Sequence, residues 1–526
     1  MKHTTFLFAG HLTASCRRLI LSSAILSFSF LPSVVTAQTQ DGRDFSIDGF
    51  AAYEGNPGTN WYRTGGTTGG AGGKVVKANT FSQLQAYLQS SEPYVVIVDR
   101  DISTGIKCYV DNINTGHLLD DQSGASGEET TYGERIMVAP NKTLVGVVNP
   151  ETGKAPLFTH ITFVMQAVDN IIIRNCRFTM KGVPVLKSGE NKIVALRNGV
   201  QTEVGDPDCI GIQADKNSAK TDWGAHIWID HCEFFNGDAG NKDRYDGLLD
   251  CKNNIQWLTF SYNLFHDHDK SCLWGKGNSD IYDGCRTISF HHNFFNNIQG
   301  SRLPLQRGGH VHYYNNYMLD CEDGWDLREK SVAYLEACYF ENTKSPVRSD
   351  RGGSLNINKT DGYDCIYKGC NNLMEGYTNI DGAKSSSLDV TATDWVPTQT
   401  TATYTQHYLD KTADVPALCQ KYSGAGKVEI WTAYADAIPQ EDITEFDHAI
   451  KNPDPGNAAK TYDAEGNEMK GATSAISATE RSAAATARVD YFTLSGVRIS
   501  APRHGVNIVR SIDADGHTVT KKVVCN

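Results

Sequence analysis

The residues able to do chemistry are concentrated between Trp228 and Asn316. There the chain reads WIDHCEFF (228–235), YDGLLDCKNN (245–254), HDHDK (266–270), ISFHHNFFNN (288–297) and SRLPLQRGGHVHYYNN (301–316). Carboxylates crowd the first half and basic residues the second, and GDPDCIG just upstream adds the pair Asp206 and Asp208. Hard oxygen ligands at that density suit a divalent cation such as Ca²⁺. A lone D-x-D is more often an acidic solvated face; the basic residues that follow are what tip the balance toward a bound ion. His266 with His268, and His310 with His312, have the same-face strand spacing of a transition-metal pair. No third ligand converges on either, so polar stacking is their expected role.

Such side chains need a frame, and the apolar residues between them alternate in short strand-like runs rather than at helical spacing. Six segments share one pattern: IIIRNCRF, IWIDHCEF, LTFSYNLF, ISFHHNFF, VHYYNNYM and AYLEACYF. Their matched Cys or Asn positions are 176, 232, 263, 293, 316 and 338, giving intervals of 56, 31, 30, 23 and 22. The shortest intervals indicate a unit of 22 residues, the longer ones the same unit with an inserted loop, and the first interval two units. A second series, DCIGIQ, GLLDCK, SCLWGK, RLPLQR and WDLREK, falls between members of the first. Strands that cannot bury both faces alone, repeated at this period, are what a parallel β-helix solenoid requires. Asn at one recurring offset fits the same fold, because it stacks on itself from turn to turn and satisfies the backbone at a bend.

The rest of the chain fits that frame. Its 526 residues include 48 Gly and carry a net charge of −12, which argues against nucleic acid as the partner. A polyanionic substrate stays open, since a basic cluster with a bound cation can reverse the field in one cleft. Arg17 and Arg18 precede an apolar run from Leu19 to Val35, and Val35-Thr36-Ala37 gives a small-residue cleavage site, so residues 1–37 read as an export signal. No later run is long enough to span a bilayer. GGTTGGAGGK (65–74) is not a phosphate loop, because Val75 stands where Ser or Thr is needed. A helix is expected over 79–90, capped by Asn79 or Thr80, with Phe81, Leu84, Tyr87 and Leu88 on one face, closing one end of the solenoid. Of the 14 cysteines most are expected to be buried small hydrophobes, with Cys365 and Cys370 the one tight pair.

WIDHCEFF, DGLLDCK, HDHDK and RLPLQRGG followed by VHYYNN together resemble the polysaccharide lyase family 1 pectate lyases. GGTTGGAGG and YTQHYLDKTADVPALCQKYSGAG (404–426) resemble that family's two ends, so the likeness covers roughly residues 48–426. It implies an all-β, right-handed parallel β-helix with an N-terminal capping helix. It also implies a secreted, monomeric enzyme that cleaves de-esterified homogalacturonan (polygalacturonate) by calcium-dependent β-elimination, giving 4,5-unsaturated oligogalacturonides. By position, Asp206, Asp208, Asp246 and Asp250 would be the Ca²⁺ ligands, Lys270 and Arg307 the substrate-binding residues, and Arg302 the catalytic base. Asp246 stands where some members have Glu, and a shorter ligand admits one more water. Retained Asp250 disfavours a calcium-independent pectin lyase, which has a basic residue there. A non-catalytic pectin-binding β-helix would lack the set Arg302, Lys270 and Asp250.

The residues themselves support this. Solenoid turns lie about 4.8 Å apart, so Asp208 and Asp250 can share one ion if they occupy equivalent positions on neighbouring turns. Removing a proton next to a uronate carboxylate first needs that charge neutralised, which a bound cation and nearby basic groups do. Arginine is an unusual base, being protonated in nearly all proteins. Cys209 and Cys251 each follow a ligand candidate, so alternation points them inward, within reach of a disulfide or a thiol stack. Trp228, Asp230 and His231 are expected to be structural, holding the loop below the cleft. The solenoid domain is set at 38–451. Residues 452–488 read as a linker and 489–526 as a short β-rich tail resembling the sorting tails of secreted Bacteroidetes proteins.

Overall fold

In a computed structural model of the chain, the residues described are 39–104, 107–110, 128–131, 134–183, 193–197, 200–204, 208–214, 223–237, 239, 245–282, 285–383, 385–428, 488–492, 498–499, 505–512 and 518–525. The export signal, Asp206, residues 430–451 and all of the linker but its last residue lie outside them.

Three parallel sheets of eight, ten and nine strands make up the parallel β-helix. Each turn gives one strand to each sheet in a fixed order. Leu249–Lys252 joins the eight-stranded front sheet, Ile255–Ser261 the ten-stranded back sheet and Leu264–Lys270 the nine-stranded side sheet, before Leu273–Trp274 returns to the front. The two sequence series are these strands. The second series forms the front sheet, and each member of the first spans a back strand, a corner and a side strand.

The corner explains the recurring pattern. Its first residue is in the left-handed region with φ near 50° at His231, Tyr262, His292, Asn315 and Ala337, which turns the next residue into the core. There Asn263, Asn293 and Asn316 form the expected ladder: Asn263 Nδ2 donates to Asn293 Oδ1 (3.0 Å) and Asn293 Nδ2 to Asn316 Oδ1 (3.1 Å). The same oxygens accept the backbone N–H of the preceding turn, as Asn293 Oδ1 does from Asn263 N (3.0 Å), so each bend is satisfied internally. Beside the ladder, Phe178, Phe234, Phe265 and Phe295 stack at centroid separations of 4.7–5.1 Å.

The helix Phe81–Gln89 caps the first turns, as expected. The Thr80 hydroxyl accepts from Gln83 N (3.2 Å), and Leu84, Tyr87 and Leu88 are buried. Residues 43–52 and 404–410 cover the back sheet, the latter through Tyr404 at Ser289 Oγ (2.9 Å) and His312 Nδ1 (2.7 Å). In the short helix Gly49–Ala52, Phe50 N donates to Ser289 Oγ (2.9 Å) and Ala51 N to Thr259 Oγ1 (3.0 Å). A Cβ on Gly49 would sit 2.5 Å from Ser289 Oγ, so only glycine allows this approach. Residues 488–525 contribute a separate four-stranded antiparallel sheet. No helix among the described residues is long and apolar enough to cross a membrane.

Candidate active site

Among the described residues the terminal segments make their contacts with the back sheet, and the charged residues gather on the front sheet. In Leu249–Lys252, alternation puts Asp250 and Lys252 on the outer side of the strand and Cys251 in the core. Asp250 Oδ1 accepts from Leu273 N on the next turn (2.8 Å), while Oδ2 lies 3.2 Å from Lys252 Nζ with no donor aligned on it. Lys252 Nζ also reaches Asp208 Oδ2 (3.1 Å), and Asp208 Oδ1 accepts from Gly247 N (3.0 Å). A Cβ on Gly247 would stand 2.2 Å from Asp250 Oδ1 and 3.0 Å from Asp208 Oδ1. Glycine is therefore what lets the two carboxylates approach one another.

A second cluster begins one residue earlier. Asp246 Oδ1 accepts from Arg302 Nη1 (3.0 Å) and lies 3.5 Å from Lys270 Nζ. Arg302 sits at the corner between Phe294–Ser301 and Leu305–Arg307 with φ 66°, a conformation costing a non-glycine residue about 1–3 kcal/mol and typical of functional sites. Arg307 is anchored by Gly275 O (2.8 Å) and Asn278 Oδ1 (3.1 Å), and its strand register places it beside Arg328 of the following turn. Along the solenoid axis the sheet thus passes from an acidic pole at Asp208 and Asp250 to a basic one at Arg302, Arg307 and Arg328.

Burial and like charge act strongly at the acidic pole. Burial, and then the facing Asp250, push Asp208 up to about 8. Asp250 is raised by burial too, with Asp246 adding to it and Lys252 opposing. Burial would also raise Asp246, but Arg302 and Lys270 outweigh it and hold that carboxyl below its ordinary value. Burial and the neighbouring Arg328 lower Arg307. The two carboxylates are short of positive charge even with Lys252 between them. Among the described residues no three His, Cys, Asp or Glu side chains meet in a metal-holding cluster.

This arrangement sits on a chain segment that matches a known family model. Residues 50–428 match the model described as pectate lyase. The chain belongs to the pectate lyase family. That membership makes it a polysaccharide lyase on a parallel β-helix. Its relatives include the pectate trisaccharide-lyase of Bacillus licheniformis, 30% identical over 389 residues that cover 73% of this chain and 88% of that one. Pectate lyase 3 of Pectobacterium carotovorum is 34% identical over 229 residues, 40% of this chain and 57% of that one. Among solved structures, a pectate lyase of Bacillus sp. N165 in complex with trigalacturonate is 23% identical, with a TM-score of 0.43 over 72% of this chain and 99% of that one. Pectate lyase II of Xanthomonas campestris is 21% identical, with a TM-score of 0.47 over 73% of this chain and 99% of that one.

Within this pectate lyase fold several expectations need correction. Asp208 and Asp250 are not at equivalent positions: Gly211 pairs with Asp250, which sets Asp208 beside Gly247, three residues away in register. Side-chain reach, not register, brings the carboxylates together. The same offset pairs Cys251 with Ile212 and then Trp274, so Cys209 and Cys251 point inward as expected but do not stack on each other. Eleven of the cysteines, Cys365 and Cys370 among them, are buried free thiols.

His266 and His268 do not share a face. The left-handed Asp267 (φ 48°) between them leaves His266 at the surface, stacked on Phe235 (4.9 Å), and buries His268. Asn236 Oδ1 accepts from Met180 N (2.7 Å), so its amide nitrogen faces His268 Nδ1 (3.4 Å). Nε2 must then carry the proton and donate to Asp246 O (2.8 Å). His310 packs at a tilt against Trp395 (5.0 Å) and His312 pairs with Glu336 (2.8 Å), so polar packing is their role.

Trp228, Asp230 and His231 are structural, but they lie on the back sheet rather than beneath the cleft. Asp230 takes Arg174 (2.7 Å), His231 Nδ1 (2.7 Å) and Ser261 Oγ (2.6 Å), and Arg174 continues to Phe45 O (2.9 Å), tying down the N-terminal segment. Sequence reasoning passed over Lys252 and gave His268 only a stacking role. The period of two starting from Asp250 was a usable signal for Lys252; nothing local announced the contact of His268 with Asp246 O.

Proposed function

We propose that this protein is a secreted, calcium-dependent pectate lyase that cleaves de-esterified homogalacturonan by β-elimination to 4,5-unsaturated oligogalacturonides. The observation that carries this is the placing of an electron-rich, under-compensated carboxylate pair, Asp208 and Asp250, beside the Asp246, Arg302 and Lys270 cluster on one open sheet.

The donor set fits Ca²⁺. Its ligands are hard oxygens, one oxygen of Asp250 has no aligned donor, and Gly247 leaves room between the carboxylates. Asp208, Asp250 and Asp246 would hold the ion together with Asp206, the partner in the D-x-D. When bound it would supply Lewis-acid neutralisation of a uronate carboxylate.

The chain's own groups do the rest. Lys270 and Arg307 bind uronate carboxylates, Arg307 with a fork anchored from below by Gly275 and Asn278. Arg302 takes the proton from the carbon next to the carboxylate. Asp246 orients Arg302 and Lys270 together, and His268 fixes Asp246 through its carbonyl. The bond broken is the one between the adjacent ring carbon and its glycosidic oxygen, which departs with the other chain fragment and is protonated from water, and the new double bond conjugates with the carboxylate. Residues 1–37 export the chain, and the substrate is a polyanion met outside the cell.

Polygalacturonate incubated with the enzyme should develop the ultraviolet absorbance of the conjugated product; the rise should stop in excess chelator and resume on adding calcium. Full activity in chelator would remove the ligand assignment, and absence of unsaturated product would remove the reaction.

A further inference from the structure

The cation at the acidic pole is already supplied by the chain: Lys252 Nζ lies 3.1 Å from Asp208 Oδ2 and 3.2 Å from Asp250 Oδ2. Asp250 is fully buried, and Asp208 and Lys252 are partly exposed, at 13% and 20%. Two carboxylates this close are repulsive without a positive charge between them. The ammonium supplies that charge imperfectly. A lysine head group has three donors on a flexible stem, yet one Asp250 oxygen still has no aligned donor. Among the described residues, Asp208 is contacted by Gly247 N and Lys252 Nζ.

We infer that Lys252 is a tethered counter-ion for the Asp208 and Asp250 pair, which an incoming divalent cation must displace. This inference rests on the calcium reading above. An ammonium and a metal ion cannot both sit against the same two oxygens. A doubly charged ion accepting several oxygens satisfies the pair better than one ammonium does. Lys252 then makes the metal-free site tolerable and at the same time weakens metal affinity, a coupling between two ligands competing for one set of oxygens. Displacement also moves a positive charge off the acidic pole onto the open face of the sheet, where the substrate's carboxylates pass. Metal entry and polyanion binding would in this way reinforce each other.

The inference makes a prediction of unusual sign: removing a basic residue from the active site should improve metal binding. Calcium titration calorimetry on the full-length protein, without substrate, should give Lys252→Met an affinity roughly tenfold tighter than wild type, within the usual range for coupled binding. The same variant should melt at a lower temperature than wild type in chelator, because the carboxylates lose their counter-charge. Lys276→Met serves as the control. It removes an exposed charge on the following turn that pairs with neither carboxylate, and its calcium affinity should change by less than about twofold. If Lys252→Met is poorly folded, Lys252→Gln, which keeps a neutral polar head, is titrated in its place. Unchanged or weaker calcium affinity in both variants, or an equal gain in Lys276→Met, overturns the counter-ion role while leaving the calcium site standing. A wild-type protein that binds no calcium overturns both.

Discussion

Asp230 on the back sheet and the pair Asp208 and Asp250 on the front sheet are buried in opposite ways. On the back sheet Asp230 is fully enclosed with Arg174, His231 and Ser261 around it. Burial alone would raise its pKa, but His231 and Arg174 bring it below the ordinary carboxylate range. On the front sheet Asp208 is pushed up to about 8 by burial and by Asp250. One strand register carries both sites, since each turn contributes to both sheets. The difference lies in what each carboxylate is given: a guanidinium, an imidazole and a hydroxyl in one case, another carboxylate and half-shared ammonium in the other. A fully satisfied buried acid holds structure, and an under-satisfied one is held ready for something else.

The comparison breaks most visibly if an acid is removed from each side. Asp230→Asn leaves Arg174 buried without its partner and should cost about 3–5 kcal/mol in urea unfolding. Asp250→Asn should cost little in chelator, because it relieves repulsion, while abolishing measurable lyase activity. Large destabilisation by Asp250→Asn without metal would erase the distinction between the sheets.

Next in size is the basic pole. Arg302→Lys keeps a positive charge but changes its position and proton affinity, so turnover on polygalacturonate should fall by about 10²–10⁴ with polymer binding retained. Arg307→Lys should instead raise KM with a smaller loss in kcat, as expected when a bidentate grip is lost. Near-normal turnover by Arg302→Lys at saturation would shift the base to another residue, Lys270 first.

The acid limb of stability should belong to the back face. Asp48 is buried there beside His291 (3.0 Å). Burial would raise it, but His291 and His407 hold it at about 2. A depressed carboxyl stabilises the fold above its unfolded pKa, about 3.9. That contribution, of the order of 2 kcal/mol, is lost as pH falls from there through the folded value. Asp48→Asn should therefore flatten the decline in melting temperature between about pH 4 and pH 2. An unchanged acid limb would show that other groups govern it.

The smallest expected effect tests His268. His268→Leu removes the donor to Asp246 O and should weaken calcium-dependent activity roughly tenfold, the scale of losing an orienting partner behind a ligand. His268→Gln, whose amide can donate in the same direction, should recover most of it. Equal losses in both variants would mean that the ring's packing matters rather than its hydrogen bond.

Much of this was legible from the amino-acid sequence, where one residue type recurs at one offset. Asn263, Asn293 and Asn316 disclosed the ladder because each satisfies the bend of the preceding turn. The Asp250 and Lys252 alternation was equally readable. What escaped depends on backbone turns that local pattern does not encode. The left-handed Asp267 turns His268 inward although its spacing from His266 promised a shared face. The pairing of Gly211 with Asp250 sets Asp208 three residues out of register with Asp250, which also separates Cys209 from Cys251. The coverage of the back sheet by residues 43–52 joins parts of the chain some 200 positions apart, as in the Ala51 to Thr259 contact, and such pairing leaves no local trace.

The account rests most on the claim that the under-compensated front-sheet acids are a cation site. Thermal melting of wild type and Asp250→Asn, each in chelator and in saturating calcium, tests it directly. Wild type should gain several degrees on calcium addition, as expected for a ligand that binds only the folded state, and Asp250→Asn should gain none. A wild-type protein indifferent to calcium, or an Asp250→Asn variant stabilised as much as wild type, would contradict it.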